Sequence, residues 1–129
     1  MKFVLIAIVF VWNIGKAQTI KTTGQLIDFT EAKMPAYCGY QIEYGILKIR
    51  IEKNISNFKV GDSIYIFQTC PRETMEREVG RYLNNTQYLV EIGKKVSKTD
   101  LVHAEKIFKK NYPEDRISKI FYGHLSKLK

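Results

Sequence analysis

Residues 40–53 read YQIEYGILKIRIEK. Apolar and polar side chains alternate along this stretch, the two-residue period of a strand with one face turned to a core. Ile42, Tyr44 and Ile46 share one parity, whereas Leu47, Ile49 and Ile51 fall opposite Lys48, Arg50 and Glu52. The apolar parity therefore changes at Tyr44-Gly45-Ile46. A glycine at such a change predicts a bulge or sharp bend, as a long strand needs when it curls around a barrel.

The flanking segments extend that reading. TIKTTGQLIDFT (residues 19–30) is rich in Thr and Ile and reads as a first strand, followed by the polar connection EAKMPAYCG. NISNFKVGDS makes a turn, and SIYIFQTC (residues 63–70) is a β-branched and aromatic strand with Ile64, Ile66, Gln68 and Cys70 on one parity. Residues 71–82 read as a short helix, because Pro71 suits a first turn and Glu73 favours its positive end. A Glu73–Arg77 pair at i,i+4 is expected on its surface. Asn84-Asn85 forms a turn before the strand TQYLVEIG (residues 86–93). Thr99-Asp100 can cap a helix over residues 101–111, where Leu101, Ala104, Ile107 and Phe108 have helical spacing.

The last segment, RISKIFYGHLSKLK (residues 116–129), supports two readings. Ile117, Ile120, Phe121, His124, Leu125 and Leu128 fit a helix; Ile120-Phe121-Tyr122 beside Gly123 suits a strand. A strand would complete a mainly β (α+β) architecture: a five-stranded OB-like barrel with one or two short helices, whose last strand removes the exposed edge. A helix would leave a four-stranded sheet covered on one face. With no internal repeat or linker, residues 18–129 are expected to form one domain.

Residues 1–17 carry Lys2, the apolar run FVLIAIVFVW and the small residues Gly15 and Ala17, the plan of a signal peptide cleaved before Gln18. The competing reading is an uncleaved anchor, but about ten apolar residues are short for a span of roughly twenty. Export would place the protein in the periplasm or outside the cell, where the two cysteines, Cys38 and Cys70, are expected to form a disulfide.

The chain of 129 residues carries a net charge of +8, unevenly spread. Residues 18–93 hold nine Lys and Arg against nine Asp and Glu; residues 94–129 hold ten against four. Such asymmetry points to an anionic glycan, an envelope surface or an acidic protein, or else to a solvated surface that keeps the protein in solution. Export argues against nucleic acid.

A cysteine followed by Gly39 and Gly45 in the second strand, with Cys70-Pro71-Arg72-Glu73 closing the third, resembles small exported proteins of Bacteroidota with no assigned activity. More distantly, the layout resembles the netrin-like module, the OB-type barrel shared by tissue inhibitors of metalloproteinases. That resemblance implies the barrel alone. The inhibitors place an N-terminal cysteine on the protease's metal, and the mature terminus expected here is Gln18.

Cys70 admits two chemistries. Beside Pro71 and Arg72 it has the surroundings of an activated thiol, and His103 or His124 would have to serve as its base. Paired with Cys38, it is half a structural bridge, which is the expectation adopted. His103, Glu105 and His124 are the best metal set available, and they lack a close third ligand; no metal or cofactor is expected. There is no Gly-rich phosphate loop and no nucleophile elbow. Asp62-Ser63-Ile64 resembles the O-glycosylation signal of Bacteroidota. Tyr40, Tyr44, Arg72 and Glu73 are the expected ligand contacts of a non-enzymatic binding module; a thiol-dependent enzyme or redox protein using Cys70 and a protease-inhibitor-like protein are the alternatives.

Overall fold

The structure is a computed structural model that describes residues 19–30, 38–39, 42–115 and 119–128. The expected signal peptide and Tyr40 lie outside the described residues. Five strands, β1 (Ile20–Phe29), β2 (Tyr44–Ile51), β3 (Ser63–Thr69), β4 (Thr86–Lys95) and β5 (Ile120–Lys127), form one sheet. Two helices accompany them, α1 (Pro71–Glu78) and α2 (Lys98–Asn111). The strands lie in the order β1-β2-β3-β5-β4, and β4 pairs back onto β1, so the sheet closes on itself. All neighbours are antiparallel except β3 and β5, which run parallel.

Closure makes one side chain parity interior. Leu26, Ile49, Ile66, Val90, Ile92 and Leu125, from all five strands, meet there with almost no exposure. Val79 and Tyr82, just beyond α1, cover the end at which β3 finishes. At the opposite end the β2–β3 turn lays Phe58 edge-on against Phe121, with ring centroids 5.5 Å apart. The outer parity of β2 and β3 is buried too. Ile46, Tyr65 and Phe67 pack beneath Ala104 and Phe108, which a spacing of four keeps on one face of α2, and beneath Tyr112 at its C-cap.

This second core explains the parity change in the opening stretch. The β2–β3 register runs unbroken from Tyr44↔Thr69 to Arg50↔Ser63, so there is no bulge at Gly45. Ile46 faces α2 and Leu47 faces the interior: consecutive apolar residues mark a strand covered on both sides. The sheet's irregularities fall instead on β1, between Leu26 and Asp28, and on β4, between Ile92 and Lys95. Gly45 has a different task, because a Cβ there would come within 3.1 Å of the Pro71 ring that opens α1. β2 also begins at Tyr44 rather than at residue 40, and Ile42 before it is 62% exposed.

The helices are shorter or shifted relative to expectation. α1 stops at Glu78, where Val79 and Gly80 both donate to the Met75 carbonyl and Gly80 takes φ 80°, a left-handed exit that suits glycine. α2 is capped by Ser97, whose Oγ accepts from Asp100 N at 3.3 Å, and not by Thr99. The C-terminal segment is a strand from Ile120 onward. Gly123 lies so close to the Glu91 carbonyl that no side chain fits between them. A Gly123→Ala change should therefore cost about 1–3 kcal/mol by forcing β4 and β5 apart. Gly39→Ala, with nothing within 4 Å of its added carbon, should be close to neutral. Urea unfolding of the two variants reads the difference.

Candidate functional site

Cys70 follows β3 and stands at the N-cap of α1 with φ 49° and ψ 61°, a left-handed conformation that an L-residue adopts at some cost. Its sulfur is bonded to Cys38, with the two Cα atoms 5.4 Å apart across a sequence separation of 32. Three hydrogen bonds hold the same corner. Cys70 N donates to the Glu43 carbonyl at 2.8 Å, Glu43 N to the Cys38 sulfur at 3.3 Å, and Cys38 N to Glu73 Oε1 at 2.7 Å. Glu73 is thereby committed to the bridge, which is why the expected Glu73–Arg77 pair does not form. The helix pair is Arg72–Glu76, at 3.4 Å.

Of the expected ligand contacts, Tyr44, Arg72 and Glu73 fall among the described residues. Arg72 and Glu73 lie beside the disulfide, while Tyr44 turns to the outer face and stacks between Phe67 (5.4 Å) and His103 (4.2 Å). Neither cysteine is a thiol in this state, and no hydrogen bond joins Cys70 to either histidine. His103 and Glu105 belong to α2, whereas His124 lies on β5 with its Nδ1 2.6 Å from Glu78 Oε1. Among the described residues, the one close group of potential metal-ligand atoms is Cys38, Cys70 and Glu73, and its two sulfurs are bonded to each other.

A tyrosine–acid cluster fastens the segment after α2 to the sheet. The Tyr65 hydroxyl and Lys48 Nζ (3.1 Å) both donate to Asp115, and the Tyr112 hydroxyl donates to Asp28 at 3.1 Å. Lys48 also lies over the Tyr65 and Tyr112 rings, at 5.9 and 5.7 Å from their centroids. Burial, reinforced by the acids they face, pushes both hydroxyls well above the ordinary tyrosine range. They remain protonated donors at neutral pH, the opposite of activated nucleophiles. The Tyr65 hydrogen bond, helped by Lys48 and opposed by burial, holds the Asp115 carboxyl below the usual range.

The excess charge seen in the sequence is displayed openly. Lys94, Lys95, Lys98, Lys106, Lys109, Lys110, Lys119 and Lys127 are all exposed, and none forms an ion pair with another described residue. Lys106, Lys109 and Lys110 occupy one face of α2 at i, i+3 and i+4, with the exposed Val102 one turn earlier. Two of the four acids of residues 94–129 are engaged: Asp100 accepts from the Tyr122 hydroxyl and Asp115 from Tyr65 and Lys48. Two features of the sheet went unread in the sequence, Gln68 as a buried polar residue and Glu78 as a partner of β5; the signal for Gln68 was its place on the parity of Ile64 and Ile66. No helix among the described residues is long and apolar enough to cross a membrane. No protein family, curated protein or solved structure matches the chain.

Two outcomes follow from these contacts. Replacing both cysteines by serine should lower stability by roughly 3–4 kcal/mol, the chain-entropy value for a loop of this length. Urea unfolding without reductant measures it, and an unchanged midpoint would remove the bridge from the stability account. The contribution of Asp115, whose folded pKa lies below its unfolded one, is complete above the ordinary carboxylate range and is lost as pH falls through the lowered value. The stability gap between wild type and Tyr65→Phe should thus be constant near neutral pH and narrow below about pH 4. A gap that does not change with pH would show that the Asp115 charge is not what Tyr65 supports.

Proposed function

We propose that this chain is an exported, disulfide-stapled OB-type barrel that works as a non-enzymatic interaction module for a polyanionic partner. The strand order β1-β2-β3-β5-β4, with β3 and β5 parallel and a helix between β3 and β4, supports the OB-type assignment. Export is supported by the charged, apolar and small-residue pattern of residues 1–17 and by a disulfide, which persists in oxidising compartments.

The observation that carries the reading is the set of eight exposed lysines between residues 94 and 127, unpaired among the described residues while two of the neighbouring acids are tied to tyrosines. Lysines that serve only solubility are commonly interspersed with acids. Here residues 18–93 are charge-balanced and the excess collects on α2 and the ends of β4 and β5. The triad Lys106, Lys109 and Lys110 gives that excess a face on which a sulfated or phosphorylated polymer, or an anionic envelope surface, can sit.

Binding to heparin as the probe polyanion, and to vesicles containing an anionic phospholipid, should weaken steeply between low and physiological salt. Reversal of the triad, Lys106→Glu with Lys109→Glu and Lys110→Glu, should weaken it at least about tenfold, on the order of 1 kcal/mol per surface charge. Surface plasmon resonance at several ionic strengths measures both. Affinity that ignores salt and the triad would overturn the proposal.

A further inference from the structure

β3 and β5 bond to each other over only three residue pairs, Tyr65↔Ile120, Ile66↔Phe121 and Phe67↔Tyr122. Past Tyr122, β5 takes its partner on that side from α1 instead: Leu125 N donates to Glu78 Oε2 at 3.0 Å. Between the diverging strands lies a cavity of about 270 Å³, walled by Phe67 and Gln68 on β3, Tyr122 and Gly123 on β5, and Thr74 and Arg77 on α1.

Gln68 is the unusual member. It is 4% exposed, and it occupies the interior parity that Ile64 and Ile66 fill with hydrocarbon. Its Oε1 accepts from the Tyr82 hydroxyl at 3.0 Å. That hydroxyl donates to no other described residue, so the amide is oriented and Nε2 is left with no partner. A buried N–H donor without an acceptor is a standing cost, and an apolar residue of the same size would avoid it. The other polar groups of the wall are engaged or open in a telling pattern. The Thr74 hydroxyl donates to the Thr69 carbonyl, and the Tyr122 hydroxyl is held by Ser97 and Asp100. His124, at the rim, is bonded to Glu78. Arg77 is exposed and makes no hydrogen bond or ion pair with a described residue. No Asp or Glu lines the cavity.

We propose that this cavity binds a carboxylate. Gln68 Nε2 donates to one carboxylate oxygen, the Arg77 guanidinium closes on the other, and the Phe67 and Tyr122 rings seat an apolar or aromatic body. Two sources carry this chemistry, a small free organic acid and the C-terminus of a peptide. None of the eight exposed lysines lines the cavity, so the site stands or falls independently of the polyanion surface.

The test uses the full mature chain, 15N-labelled, titrated with phenylacetate, phenylacetamide, and the peptide Ala-Ala-Phe with a free or an amidated C-terminus. Phenylacetate or the free-acid peptide should shift the Gln68 side-chain amide and the Gly123 backbone amide saturably, while both neutral amides leave them in place. Saturation by phenylacetate alone assigns a small acid, and by the peptide alone a chain terminus. Arg77→Gln, an exposed change that spares the core, should weaken binding at least tenfold, and Gln68→Glu should abolish it by opposing one carboxylate with another. No saturable shift with any probe, equal shifts from the acids and their amides, or indifference to Arg77→Gln would each overturn the proposal.

Discussion

Everything in this molecule depends on β5 bonding to two neighbours at once. It runs antiparallel to β4 over most of its length and parallel to β3 over three pairs, and only that double pairing leaves the sheet without a free edge. The consequences are local and specific. β5 must come close enough to β4 that Gly123 has no room for a side chain beside the Glu91 carbonyl. The chain must also travel from the end of β4 to the start of β5, and it does so through α2, laid across the outer face of β2 and β3. Closure and the second hydrophobic core are therefore one solution: the connection that sends β5 into place is the element that buries Ile46, Tyr65 and Phe67.

That double burial decides what could be read from the sequence. Strands with one wet face announce themselves, and β4 does so through Tyr88, Val90 and Ile92 facing in while Gln87 and Leu89 face out. β2, β3 and β5 are covered on both faces along part of their length, so they read as continuous apolar runs. In β2 such a run looked like a parity change caused by a bulge. In β5, with Ile120 facing out under α2 and Phe121 facing in, it fitted a helix as well as a strand. The argument that chose the strand was global, the need to close an edge, and no local pattern could replace it.

Site residues divide the same way. The disulfide was legible because two cysteines behind an expected signal peptide are expected to pair, and the charge excess because it is a sum over residues. The partner of Glu73 was not legible, because a local i,i+4 rule offers Arg77 while the fold offers the Cys38 N–H, brought from 35 residues away. A backbone donor beside a disulfide is fixed and partly buried, whereas an exposed helical ion pair contributes only about 0.3–0.5 kcal/mol. The long-range partner wins. Gln68 was visible as a polar residue on an apolar parity, but its meaning needed the position of Tyr82.

The corner at Cys70 shows how the opposing terms are set against each other. A left-handed non-glycine residue costs on the order of 1–2 kcal/mol, and glycine at this position would relieve it. Glycine cannot bridge to residue 38, and the bridge contributes roughly 3–4 kcal/mol in the chain-entropy account. The balance favours cysteine even with a strained backbone. The strain also has a geometric use. The tight reversal at Cys70 turns the chain from β3 directly into α1, which brings Pro71 down over Gly45 and lets Glu78 reach Leu125 N. Without that reach, the β5 edge beyond Tyr122 would be left without the acceptor that Glu78 provides. The disulfide thus does more than limit the unfolded chain: through Cys70 at the N-cap and Glu73 on the Cys38 N–H, it ties the first turn of α1 to the segment before β2.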